Sequence, residues 1–107
     1  MINRFMRLIV MFDLPVVTAE ERQIYSKFRK FLLKDGYIMM QFSIYSRICK
    51  NGDDVSKHIN RIRQNLPDRG NIRLLQVTEK QYQDMILLCG RKVAEEEISI
   101  QNLIVFE

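Results

Sequence analysis

Arg7-Leu8-Ile9-Val10-Met11-Phe12-Asp13-Leu14-Pro15 constrains the fold of this chain more than any other stretch. Its apolar residues run on without alternation, and Ile9, Val10 and Phe12 favour extended backbone. The run therefore predicts a strand covered on both faces. Asp13 then interrupts the apolar series, and Pro15 cannot donate to a ladder, so the strand ends there. A central strand that delivers one acid to its C-terminal edge is a common way to hold a metal or a phosphate-directed group. It is also a common way to end a strand, and both readings of Asp13 stand at this point.

Beyond Pro15, Thr18-Ala19-Glu20-Glu21 has the form of a capping box, in which a hydroxyl caps one backbone N–H and a carboxylate reaches back to another. Ile24, Phe28, Phe31 and Leu32 then recur at the spacing of one helix face. Gly36 is placed to stop that helix. Lys27, Lys30 and Lys34 form a separate basic stripe, with Arg22 and Arg29 at its flanks. The stripe reads first as a solvated face and second as a row of phosphate contacts.

Residues 37–48 predict a second, longer strand, with Tyr37, Met39, Gln41, Ser43 and Tyr45 on one face. Asp53 or Asp54 is placed to cap a second helix, along which Val55, Ile59, Ile62 and Leu66 repeat at helical spacing. Lys57, Arg61 and Gln64 face away from that stripe, with Arg63 beside them and His58 on the polar side as a phosphate neighbour. Pro67 ends the helix. Residues 72–78 predict a third strand, 79–84 one short helical turn and 85–89 a fourth strand of nearly unbroken apolar residues. A polar connector follows over 90–97, and Leu103-Ile104-Val105-Phe106 predicts a fifth strand.

These elements describe an α+β fold of the ferredoxin-like kind, a four-stranded antiparallel sheet with two helices on one face. It occupies residues 1–89, and 90–107 form a linker and a C-terminal strand. So small a sheet offers that last strand few places to pair. The edge of a partner's sheet would bury it and protect the edge. The apolar side chains on the face that the helices cannot reach would be covered by the same face of a second copy. A homodimer is therefore expected, the alternative being a monomer whose last strand pairs within its own sheet.

A chain of 107 residues is one domain. It contains no apolar run near the ~18 residues that a membrane span needs. Met1-Ile2-Asn3-Arg4 is too short and polar for a secretory signal, so a cytoplasmic setting is expected, with Cys49 and Cys89 reduced and structural. Two cysteines without CxxC spacing and a single histidine argue against a zinc site. Charge is more informative. Residues 1–78 carry 14 Lys and Arg against 7 Asp and Glu, whereas residues 79–107 carry 3 against 6. A basic body points to a polyanionic partner, nucleic acid above all.

Met11-Phe12-Asp13-Leu14-Pro15, the Tyr25-Ser26-Lys27-Phe28-Arg29-Lys30-Phe31-Leu32 centre of the first helix, Gln41-Phe42-Ser43-Ile44-Tyr45-Ser46, and Gly70-Asn71-Ile72 leading to Val77-Thr78-Glu79-Lys80-Gln81 all resemble the CRISPR-associated Cas-two family. The likeness is strongest to members from type II loci and covers nearly the whole chain. It implies a ferredoxin-like homodimer whose C-terminal strand is exchanged onto the partner's sheet. It also implies a hub in spacer acquisition, lying between two dimers of the integrase subunit (the Cas-one family) and gripping a short DNA duplex. Many members are also magnesium-dependent endonucleases of RNA or DNA, and by its motif Asp13 matches their metal ligand and catalytic residue.

Two mechanisms follow. In the adaptor, Lys27, Lys30, Lys34, Lys50, Lys57, Arg61, Arg63, Arg69 and Arg73 are the available phosphate contacts, which position a duplex without reading its sequence. In the nuclease, Asp13 and its symmetry mate share a divalent ion such as Mg2+, with Ser43 and Tyr45 as neighbouring polar groups. The fold also hosts small-molecule regulatory domains and toxin-like ribonucleases, but the chain has no Gly-rich or polar pocket signature. The adaptor is the expected cellular role, with the acidic residues Glu95, Glu96, Glu97 and Glu107 expected to dock on a basic partner.

Overall fold

A computed structural model describes residues 5–90. Along the chain come β1 (Met6–Asp13), α1 (Ala19–Lys34), β2 (Ile38–Gln41), β3 (Ile44–Cys49), α2 (Gly52–Arg63), β4 (Asn71–Thr78) and α3 (Glu79–Gln83). The four strands form one antiparallel sheet in the order β2-β3-β1-β4. The expected α+β ferredoxin-like architecture is present, with the apolar run at its centre as β1.

Side chains alternate across β1 and sort the molecule into layers. Leu8, Val10 and Phe12 point into a core shared with Phe28 and Leu32 of α1 and Val55 and Ile62 of α2. Both helices therefore lie on one face of the sheet. The capping box forms as expected, with Glu21 N–H donating to Thr18 Oγ1 (3.1 Å) and Thr18 N–H donating to Glu21 Oε1 (2.9 Å).

Four expectations are corrected. Residues 37–48 are not one strand but two, turning at Phe42 and Ser43 to make the β2–β3 hairpin. Ser43 takes φ +64, a left-handed conformation that no glycine advertises in the sequence. Asn51, not Asp53 or Asp54, caps α2, accepting from Asp54 N–H at 2.9 Å; that helix stops at Arg63, so Leu66 lies beyond it and is exposed. Residues 85–89 are not a strand either: among the described residues no strand pairs with them, and Met85, Ile86, Leu87 and Leu88 are all exposed. The fifth strand at 103–106, the connector and the acidic tail lie outside the described residues.

The other face of the sheet carries Arg7, Ile9, Met11 and Asp13 of β1 with Ile44, Ser46 and Ile48 of β3 and Arg73, Leu75 and Val77 of β4, by strand register. One end of it is covered by α3, which has a capping box of its own, Thr78 with Gln81. Glu79 at the start of α3 holds Arg7 in a two-pronged pair, Nε to Oε1 at 2.8 Å and Nη2 to Oε2 at 2.7 Å. Both residues are buried. The Arg7 guanidinium sits 4.1 Å from the centre of the Tyr82 ring, and the Tyr82 hydroxyl pairs with Ser46 Oγ at 3.2 Å. Among the described residues, no helix is long and apolar enough to cross a membrane.

Candidate nucleic-acid interface and the Asp13 site

Asp13 is the last residue of β1, exposed, and opposite Asn71 of β4. Position at the end of the central strand places it beside the β2–β3 hairpin, where Phe12 N–H donates to the Ser43 carbonyl at 3.1 Å. An open depression of about 330 Å3 gathers Asp13, Phe42, Ser43, Asn71 and Arg73 with the apolar Met11 and Ile44. The side chains of Asp13 and Arg73 have no hydrogen-bond or ion-pair partner among the described residues, so both charges face solvent. Of the two polar neighbours expected for Asp13, Ser43 is present. Tyr45 is not, because its alternation puts it in the core, stacked on Phe12 with ring centres 5.6 Å apart.

Gly70 fixes the far wall of this end of the sheet. It has φ +86, and a Cβ there would lie 2.6 Å from the Asp13 carbonyl oxygen and 2.5 Å from Leu14 Cδ2. Gly70→Ala is expected to cost about 1–3 kcal/mol through the left-handed backbone and this overlap. A urea midpoint equal to the parent's would show that the loop yields freely.

Among the described residues no group of three His, Cys, Asp or Glu side chains is close enough to hold an ion. Magnesium, however, is often held by one or two carboxylates while keeping several waters. Asp13 of one chain meets the lower end of that requirement, and Asn71 and Ser43 line the same depression.

The nine basic candidates fall into distinct groups. Lys27, Lys30 and Lys34 on α1, Lys50 before α2 and Arg63 at its end are exposed and carry no ion pair among the described residues. Lys57 is paired with Asp54 at 3.2 Å, Arg61 with Asp35 at 2.7 Å, and Arg69 with Asp68 at 3.0 Å and Glu20 at 3.5 Å. Arg73 stands apart: opposite Met11 in the β1–β4 register, it belongs to the face away from the helices, with Asp13.

His58 requires a correction. It does not lie on the polar side of α2 as a phosphate neighbour but is fully buried. Its Nδ1 is 2.8 Å from Asp35 Oδ2, at the C-terminal end of α1, and its Nε2 is 3.3 Å from Asp54 Oδ1. Arg47 and Arg61 complete the cluster, Arg47 Nε donating to the Asp35 carbonyl and Arg61 Nη1 to Asp35 Oδ1, both at 2.7 Å. The site ties α1, α2 and β3 together. Asp54 stands four residues before His58, a helical neighbour visible in the sequence, but Asp35 is brought in only by the fold.

Burial lowers the pKa of His58 below its ordinary value of 6.5, outweighing the Asp35 hydrogen bond that raises it. Between the folded and unfolded values the unfolded chain binds more protons, so stability rises with pH across that window. The His58 contribution is full above about pH 6.5 and is lost as pH falls through the folded value. Thermal midpoints should therefore drop on acidification below about pH 6.5, and His58→Gln should flatten that drop. An unchanged slope in the variant would assign the acid sensitivity elsewhere.

The family model for CRISPR associated protein Cas2 matches residues 6–85. The chain is 53% identical over 97 residues to the CRISPR-associated endoribonuclease Cas2 of Streptococcus mutans serotype c, covering 91% of this chain and 85% of that protein. It is 50% identical over 92 residues to the protein of the same name from Acidovorax ebreus, covering 86% of this chain and 90% of the other. A solved crystal structure of Cas2 superimposes with a TM-score of 0.58 at 16% identity, over 84% of this chain and 92% of that one. That last likeness concerns the fold.

Proposed function

Because this chain belongs to the CRISPR associated protein Cas2 family, we propose that it acts in CRISPR spacer acquisition as a homodimeric adaptor. In this role it holds duplex DNA, without reading its sequence, between dimers of the integrase subunit. The observation that carries this reading is the exposed basic surface of the helix layer, where Lys27, Lys30, Lys34, Lys50 and Arg63 have no carboxylate partner among the described residues. Cations left unpaired by the fold are the ones available to displace counterions from a phosphate backbone.

Dimerisation is supported by what one copy leaves uncovered. α3 covers only the Arg7 end of the far face, while Leu75 and the segment Met85–Leu88 are exposed. β4 forms one edge of the sheet among the described residues. A second copy placed there would bury apolar surface and protect that edge.

A second reading rests on Asp13, and the names of the relatives favour it: both S. mutans and A. ebreus proteins are called endoribonucleases. Asp13 with its counterpart in the second copy would supply two carboxylates to a divalent ion such as magnesium, which when bound polarises a phosphodiester and acidifies a water. Arg73 in the same depression would orient the phosphate, and the apolar Met11 and Ile44 would limit the water around it.

The adaptor is tested by titrating a short duplex at several salt concentrations. Replacing Lys27, Lys30 and Lys34 together by alanine should weaken binding. The slope of log affinity against log salt should become shallower by about 0.9 for each phosphate that the variant leaves unneutralised. Equal slopes for parent and variant would remove the α1 stripe from the interface.

A further inference from the structure

Phe42 is 79% exposed. It stands at the tip of the β2–β3 hairpin, and such a ring at a turn serves no core. Yet it is held in place. Its ring stacks on Tyr25, with centres 6.1 Å apart and planes 20° from parallel; Tyr25 in turn touches Phe12 at 5.7 Å. The next residue, Ser43, takes φ +64, a backbone state that non-glycine residues rarely adopt and that collects at functional sites. The Ser43 carbonyl is pinned to β1 by Phe12 N–H at 3.1 Å. The same depression contains Asp13, Asn71 and Arg73.

We propose that Phe42 is a stacking platform for the base of an unpaired nucleotide, whose phosphate is met by Arg73 beside Asp13. This inference rests on the nucleic-acid reading above and deepens it by naming a residue that would hold a base at the Asp13 depression. Bases inside a duplex are already stacked on their neighbours and cannot offer a face to a protein ring. Unpaired ones can, and because every base has a π face the contact tolerates any sequence. Charge complementarity selects the partner of Arg73. Its guanidinium attracts a phosphate, while the exposed Asp13 carboxylate repels one unless a cation intervenes, so the phosphate belongs on the Arg73 side. The lysines of α1 lie on the opposite layer of the sheet. Arg73 and Asp13 belong to the far face, while the Phe42 ring rests on Tyr25 of α1 at the end of the sheet.

The chain has no tryptophan, so Phe42→Trp in the full-length protein introduces a single fluorescent reporter at the site. The probes are a thymidine single strand of about 12 nucleotides, within the usual range of single-strand site sizes, an abasic strand of equal length, and a duplex. Stacking predicts that the thymidine strand quenches the tryptophan and the abasic strand does not. Phe42→Leu, which keeps apolar bulk but has no ring, should weaken thymidine-strand binding on the order of 10-fold or more. Its affinity for the duplex should equal the parent's. Equal quenching by the abasic strand, or a leucine variant that binds the thymidine strand like the parent, would overturn the proposal. So would a leucine variant that sediments as single copies where the parent sediments as dimers, which would assign Phe42 to contact between copies. Duplex binding with no dependence on salt would overturn the adaptor while leaving the stacking result intact.

Discussion

On the proposed nuclease reading, Asp13→Ala should lower metal-dependent phosphodiester cleavage on the order of 100-fold or more, since a bound divalent ion would supply several kcal/mol of transition-state stabilisation and the variant removes the one carboxylate that lines the depression among the described residues. The fold should survive. Asp13 is exposed at a strand end and its carboxylate holds nothing else among the described residues, so no buried network breaks with it. Duplex binding should persist, because the helix-layer lysines proposed to carry it are untouched. Asp13→Asn refines the test by keeping the shape and removing the charge. Abolished cleavage with duplex binding retained would separate the two roles. Cleavage unchanged in a purified variant would remove Asp13 from the mechanism, whatever the adaptor does.

The second large effect concerns stability. Arg7→Ala or Glu79→Ala should each cost about 3–5 kcal/mol, the usual result of leaving one charge of a buried pair without its partner. That is a large part of the roughly 5–15 kcal/mol by which a domain is stable. Without Arg7, Glu79 would still accept from Gln83 Nε2 at 3.0 Å; without Glu79, Arg7 would still face the Tyr82 ring. The double replacement Arg7→Met with Glu79→Leu should recover much of the stability, because apolar residues of similar volume need no desolvation of charge. Urea unfolding of the parent, the two alanine variants and their combination closes a double-mutant cycle. Additive effects would show that the pair is not coupled.

The sequence was most legible where a local pattern carries the physics. An unbroken apolar run ending at Asp13 and Pro15 predicted the central strand and its end. Thr18 and Glu21 predicted the start of α1, and the Phe28 and Leu32 stripe predicted the face that it buries. It was least legible where the decision lies elsewhere in the chain. No glycine or proline marks the hairpin at Phe42 and Ser43, because a serine adopts the positive φ. Arg7 reads as the polar start of a strand until a carboxylate 72 residues away meets it. His58 looks solvent-facing by helical phase until the end of α1 closes over it through Asp35. Of the nine basic candidates, the fold alone distinguishes Lys57, Arg61 and Arg69, which are paired, from those left open.

The margin of β4 that is unpaired among the described residues has a consequence for how copies would assemble. Under the proposed homodimer, that margin would receive a strand of the second copy, and the bare apolar segment at 85–88 would be covered by it. Under the proposed twofold arrangement, mutual donation saturates after two copies, whereas one-way donation would propagate into a filament. Thermal midpoints should then climb with protein concentration, as for any fold completed by its neighbour.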